Sequence, residues 1–302
     1  MRIGIMLDQP TGPDALRTLT GELQRAADDG FQSAWLSHIF GLDALTALAV
    51  AGSRVPDIEI GTAVVPTYPR HPGALAQQAR TTALAVGPGR LTLGIGLSHK
   101  IVIENMFGLD FERPARHMKE YLAILGPLLA DKPVSFTGET LRANLALSVP
   151  NEDRIPVLLA ALGPAMLKLA GRESDGTVLW MTGPVTVREH IAPVINSAAE
   201  AAGRPAPRIV CALPVCVTDD PAPAREQAGA TFAAYNQLPS YRAMMDHEGA
   251  AGPADMAIIG TEEQVSERIR AIGAAGATEF VGVLFSPGNG ARTRELLVGL
   301  SD

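Results

Sequence analysis

Two histidines follow short apolar runs, His38 after Ala34 to Ser37 and His99 after Leu91 to Ser98. An imidazole titrates near neutral pH, so both are candidates for handling a proton. Asp8 ends the first apolar run and faces the same rim in this reading, where it either bonds a ligand or caps the turn that follows. The stretch Ala160, Ala161, Leu162, Gly163, Pro164 suggests an anion site. Proline suits the first turn of a helix, a helix start offers unpaired N–H groups, and glycine lets an anion reach the backbone. Thr182, Gly183 and Pro184 repeat the arrangement.

Other residues invite chemistry less strongly. Gly94-Ile-Gly96 opens like a dinucleotide fingerprint, but position 99, where the third glycine belongs, is His. Lys100 is the natural Schiff-base candidate if the chain is instead an aldolase or isomerase, because Lys119, Lys132 and Lys168 fall on predicted helices or an insertion. His71 reads as a cap or loop contact, and His117, His190 and His247 read as surface residues of helices. Arg113 and Arg116 read as a solvated helix face. Cys211 and Cys216 lie in an apolar run with the spacing of neither a disulfide framework nor a zinc site, which favours buried thiols and a reducing, cytoplasmic setting.

The elements that must position these groups alternate. Strands are predicted over 3–8, 34–37, 58–65, 91–97, 156–161, 177–181, 209–217 and 280–285, with helical stretches over 14–30, 43–52, 72–86, 113–130, 164–172, 185–202, 222–235 and 261–276. Thr261 to Gln264 forms a capping box at the start of the last. Eight strand–helix pairs predict an α/β protein, a closed (β/α)8 TIM barrel in one domain over 1–302. Three intervals are too long for plain connections: 98–112 after strand four, 131–154 before strand five, which holds a small hairpin over 133–141, and 218–260 after strand seven, which carries Tyr235, Asn236 and Tyr241. Barrel chemistry sits at the C-terminal strand ends, so the insertions after strands four and seven wall a pocket for a small-molecule substrate. The chain of 302 residues is 47% hydrophobic and 19% charged, with 25 basic against 32 acidic residues and a net charge of −7. That balance argues against nucleic-acid binding. The first apolar run is too short for a signal core, and the run over 156–170 is broken by Pro164 and Lys168 well short of a membrane span, so no membrane association is expected.

In order and spacing, Trp35 to Phe40, Gly61 to Val64, Arg70-His-Pro72, Gly89-Arg90, Leu93 to Gly96, Ala160 to Pro164 with Ala170 to Arg172, Asp175-Gly176 and Ile259 to Gln264 resemble the luciferase-like monooxygenase superfamily, and within it the coenzyme F420- and flavin-dependent oxidoreductases. The resemblance spans nearly the whole chain. It implies a barrel holding the cofactor ring at the C-terminal strand ends, with a non-prolyl cis peptide at Ala63–Val64 behind the ring and Leu97 and Ser98 against it. It assigns the ribityl and phosphate portion to Ala160, Ala161, Leu162 and Gly163 and to Met181, Thr182 and Gly183, and it places His38, His99 and Asp8 near the ring. Gly61 to Val64 with Pro66-Thr67 and Arg70 to Pro72 is most similar to deazaflavin members, so F420 is expected, with FMN and a monooxygenase as the alternative. Sugar-phosphate dehydrogenases of this kind carry Asp-His where this chain has His38-Ile39, and Glu where it has His99. That departure argues against their substrate and leaves a non-catalytic cofactor carrier as a further alternative. Members more often show two glycines at Leu162-Gly163. A homodimer is what the resemblance implies for assembly.

Overall fold

The computed structural model describes residues 1–301 apart from 152, 286, 287 and 289. Its strands are β1 (Arg2–Leu7), β2 (Ser33–Leu36), β3 (Glu59–Thr62), β4 (Val65–Pro66), β5 (Leu91–Gly96), β6 (Val134–Thr137), β7 (Arg142–Leu145), β8 (Val157–Leu159), β9 (Gly176–Trp180), β10 (Arg208–Val217), β11 (Ile258–Gly260) and β12 (Glu279–Leu284). Parallel pairing runs β1, β2, β3, β5, β8, β9, β10, β12 and returns to β1, closing an eight-stranded barrel. Helices flank it, as the (β/α)8 reading requires.

The two-residue period of the strands separates two cores. Ile3, Ile5 and Leu7 of β1 and Ile209, Cys211 and Leu213 of β10 pack outward with helix residues such as Leu19 and Leu23. Trp35, Leu158, Val178, Val210, Ala212 and Val281 point inward and fill the barrel. Below them the floor is ionic. Arg208 bonds Glu59 at 2.9 Å and Glu279 at 2.8 Å, Arg2 pairs with Glu59 at 2.7 Å, and Glu279 also accepts from Ser33 and from Trp35 Nε1 at 2.8 Å. Burial pushes the Glu59 carboxyl up, but the guanidiniums of Arg208 and Arg2 outweigh it and hold it below its ordinary value. Breaking such a buried set by deleting one partner costs about 3–5 kcal/mol.

Several predicted boundaries shift. The third strand is two pieces, β3 and β4, separated by a cis Ala63–Val64 peptide. The hairpin β6–β7 runs on to Leu145, because the alternation continues past the Gly138 turn; Glu120 accepts from the backbone N–H groups of Glu139, Thr140 and Leu141 and fixes that turn. Residues 222–235 are not one helix. A helix ends at Thr231, a short turn spans Ala233–Gln237, and a second helix covers Pro239–Glu248. β11 extends the sheet beside the end of β10, and a last helix, Gly290–Gly299, follows β12; both escaped the sequence reading because they are short and carry weak patterns. Among the described residues, no helix is long and apolar enough to cross a membrane.

Candidate functional site

At the C-terminal end of the barrel, Met6, Ala63, Val64, Trp180 and Val283 lie half-buried above the inner core. The interruption of the third strand is repaired by a side chain. Thr62 Oγ1 donates to the Gly94 carbonyl at 2.8 Å and accepts from the Gly94 N–H at 2.9 Å, standing in for ladder bonds that resume only at Val65 with Ile95. Strands approach so closely here that a Cβ on Gly94 would stand 1.9 Å from the Thr62 carbonyl oxygen, and one on Gly96 would stand 2.7 Å from Val64 Cγ2 and 3.1 Å from the Ala160 methyl. The two glycines that mimic a dinucleotide fingerprint therefore make room for the bulge. Ala63, Val64 and Ala160 are gathered around the end of β5, which Leu97 and Ser98 continue, half-buried.

Ser98 and Met181, at the ends of β5 and β9, have left-handed backbone, φ 61° and 51°. Non-glycine residues in that region cost about 1–3 kcal/mol each and gather where function fixes the backbone. Met181 and Thr182 are buried, Thr182 Oγ1 donates back to the Trp180 carbonyl, and the Thr182 carbonyl accepts from Cys211 Sγ, so neither residue presents an open contact in this structure.

The two candidate anion sites differ. Gly163 is exposed at the start of helix Pro164–Glu173; no side chain caps that end, and a Cβ at Gly163 would meet nothing within 4 Å. Ala161 is buried, while the half-buried Leu162 uses its carbonyl to accept the His190 Nε2–H at 2.7 Å. The start at Gly183 is already filled. The Glu248 carboxylate accepts from Val185 N at 3.2 Å and from Thr186 N and Oγ1, both at 2.9 Å, and a Cβ on Gly183 would fall 2.4 Å from its Cδ. Gly183 is thus no open cradle in this structure, and nothing in the sequence singled out Glu248.

His38 is half-buried, and its Nδ1 accepts from Ala44 N at 3.2 Å. Burial lowers its pKa, Asp43 opposes that shift, and Arg70, itself paired with Asp43 at 2.8 Å, adds to it. The ring is neutral at pH 7 with its hydrogen on Nε2. In that state His38 can donate a hydrogen bond through Nε2 and cannot act as a base through Nδ1, which the Ala44 N–H occupies. His99 is also half-buried, with a pKa lowered by burial, and its ring lies 5.5 Å from that of Tyr241. The insertion after β10 brings in this tyrosine and continues an aromatic wall: Tyr241 stands edge-on to Tyr235 at 5.1 Å, and Tyr235 to Trp180 at 5.7 Å. Burial pushes the Tyr241 hydroxyl well above its ordinary pKa, so it keeps its proton. Trp180 Nε1 and Arg70 Nη1 are buried without hydrogen-bond partners.

Other candidates lie apart. Asp8 is exposed and lines, with Glu22, Arg25 and Arg294, a cleft of about 620 Å³ between the first and last helices, whose wall includes none of the other candidate site residues. Lys100 is exposed and pairs with Glu104 at 3.7 Å, which is no setting for a Schiff-base amine. His117 is not a surface residue: it is buried, stacked on Tyr68 at 4.0 Å, and bonded through Nε2 to Thr67 Oγ1. His71 caps its helix as expected, and both cysteines are buried. Among the described residues no cluster of His, Cys, Asp or Glu could hold a metal.

An apolar floor behind a bulged strand, an uncapped helix start and unpartnered buried donors suit a flat, uncharged ring with an acidic tail. The pattern of luciferase-like monooxygenases matches residues 1–279. The 5,10-methylenetetrahydromethanopterin reductase of Archaeoglobus fulgidus is 31% identical over 160 residues, 53% of this chain and 48% of that protein. The F420-dependent glucose-6-phosphate dehydrogenase of Kineococcus radiotolerans is 28% identical over 262 residues, 81% of this chain and 76% of that protein. The matches to the first curated relatives span less than two thirds of those proteins' length. The structure of the coenzyme F420-dependent tetrahydromethanopterin reductase of Methanopyrus kandleri superposes with a TM-score of 0.82 at 22% identity, covering 99% of this chain and 98% of that one, and speaks for the fold alone. With a family pattern that runs through nearly all of its barrel, the chain belongs to the luciferase-like monooxygenase family.

Proposed function

We propose that this protein is an oxidoreductase that uses coenzyme F420 to move a hydride to or from a small organic substrate. The observation that carries the reading is the uncapped, exposed helix start at Gly163, which follows β8 with only β5 between it and the bulged third strand. Relatives named for coenzyme F420 favour it over FMN. When bound, the cofactor supplies hydride chemistry.

The rest falls to this chain. The N–H groups of the first turn after Gly163 hold the acidic tail, and Gly163 admits it by lacking a Cβ. Ala63, Val64, Leu97 and Ala160 form the apolar backing of the ring, and Ser98 continues it from the end of β5. His38 offers its Nε2–H to an oxygen of substrate or ring, while Tyr241 holds a second proton beside His99. Trp180, Tyr235 and Tyr241 exclude water from one side. Fluorescence titrations with F420 and with FMN test the reading: F420 should bind and FMN should not. Tight FMN binding with no F420 affinity would replace it with a flavin-dependent monooxygenase.

A further inference from the structure

The rim beside the two histidines is apolar. Ile39 and Phe40, which directly follow His38, are 59% and 62% exposed, and Ile101 and Met106, just beyond His99, are 56% and 62% exposed. The two groups meet across the mouth, where the Phe40 and Phe107 rings stand 6.2 Å apart. The aromatic wall from Trp180 through Tyr235 and Tyr241 reaches the His99 ring, and Met6, Val64 and Val283 pack on the inner core of the barrel. The cations of the surrounding loops each have an acidic partner, Arg70 in Asp43, Lys100 in Glu104 and Arg242 in Asp246, and the buried Nη1 of Arg70 has no hydrogen-bond acceptor.

We infer that the substrate is an uncharged molecule with an apolar body and one carbonyl or hydroxyl oxygen, its oxygen toward His38 and its body against Phe40, Met106 and Phe107. This rests on the oxidoreductase reading and narrows it. A sugar phosphate would bring two negative charges to a rim whose nearby guanidinium and ammonium groups are paired, and would leave the exposed aromatic rings in water. A ketone with an alkyl chain removes those rings from water and asks for one donor, which His38 supplies. Reduction of such a ketone balances as one hydride from the reduced deazaflavin, which is oxidised, to the carbonyl carbon and one proton, drawn from water, to the oxygen that His38 hydrogen-bonds, giving the secondary alcohol.

The test is a homologous series on the full chain loaded with F420. Dissociation constants of 2-butanone, 2-hexanone, 2-octanone and glucose 6-phosphate are measured by calorimetry, and kcat/KM by oxidation of the reduced deazaflavin. Affinity should rise about fourfold per added methylene, the equivalent of about 0.8 kcal/mol. Glucose 6-phosphate should bind at least about a hundredfold more weakly than 2-octanone, a gap of about 2.7 kcal/mol. Phe107→Asp should weaken 2-octanone about tenfold, about 1.4 kcal/mol, and 2-butanone by a clearly smaller factor. A series with no dependence on chain length, or glucose 6-phosphate binding more tightly than 2-octanone, overturns the inference. So does a Phe107→Asp variant that weakens short and long ketones alike. A dimer that buries Phe40 and Phe107, seen in sedimentation together with a flat series, would assign the patch to a second copy. Failure of F420 to bind sinks the oxidoreductase reading alone, because the ketone series is still read on the cofactor-free protein.

Discussion

Replacing Thr62 by Val keeps the shape of the side chain and removes one oxygen. That oxygen serves both backbone groups of Gly94, at 2.8 and 2.9 Å, in a residue with no exposure. Leaving a buried donor or acceptor without a partner costs about 1–3 kcal/mol, so two orphans cost about 2–6 kcal/mol, and some relaxation of β4 places the expected loss near 3 kcal/mol. For a chain of this size that lowers Tm by about 5 °C. Thr62→Ser keeps the hydroxyl and loses a methyl, a cost of about 1 kcal/mol. Urea unfolding followed by circular dichroism gives the two differences. F420 affinity should fall with Val and hold with Ser, because the bonded pair fixes the strand on which Ala63 and Val64 sit. If the Val variant is as stable as the Ser variant, the hydroxyl does not bridge the gap and the account of the bulge is wrong.

Gly163→Asp should abolish F420 binding: two like charges at about 4 Å in an effective dielectric of about 20 repel by about 4 kcal/mol, or about three orders of magnitude in Kd, and unchanged affinity in a fluorescence titration would remove the anion site from Gly163. Glu248→Ala should cost about 2 kcal/mol and expose the Val185 and Thr186 amides, read as faster hydrogen exchange there; unchanged protection would mean that the carboxylate does not cap that helix. Burial brings His117 down to about 4, although Glu120 opposes it. The unfolded chain therefore takes its proton first, near pH 6.5, so this contribution is whole above that pH and fades toward pH 4, by up to about 3 kcal/mol. His117→Gln should flatten the fall in stability between pH 6.5 and 4.5, and an unaltered slope would place the titration elsewhere.

The barrel was legible because β-branched runs and Ala- and Leu-rich runs alternate with the right periods, and the capping box and the helix start at Gly163 each carry local chemistry, whereas the bulge was expected only from the family resemblance. What escaped depends on partners far apart in the chain. Glu248 is an acidic residue at the end of an unremarkable helix, and only folding brings it to Gly183, 65 positions earlier by numbering. Glu59, Arg208 and Glu279 look like ordinary strand-end charges, and His117 looks like a polar residue on a helix, until the barrel and hairpin close over them. Asp8 illustrates the converse: a strand end names the rim but not the direction a side chain takes from it.

The carboxylate of Glu279 sits on the eighth stave and answers Ser33, Trp35 and Arg208, which emerge from the ribosome long before it. A nascent chain short of that residue holds an indole whose remaining acceptor is the Ser33 hydroxyl and a guanidinium whose remaining carboxylate is Glu59. The barrel accordingly locks only when its last strand arrives, so synthesis order is written into the ionic floor, and the half-made cylinder stays open until there is something to close it.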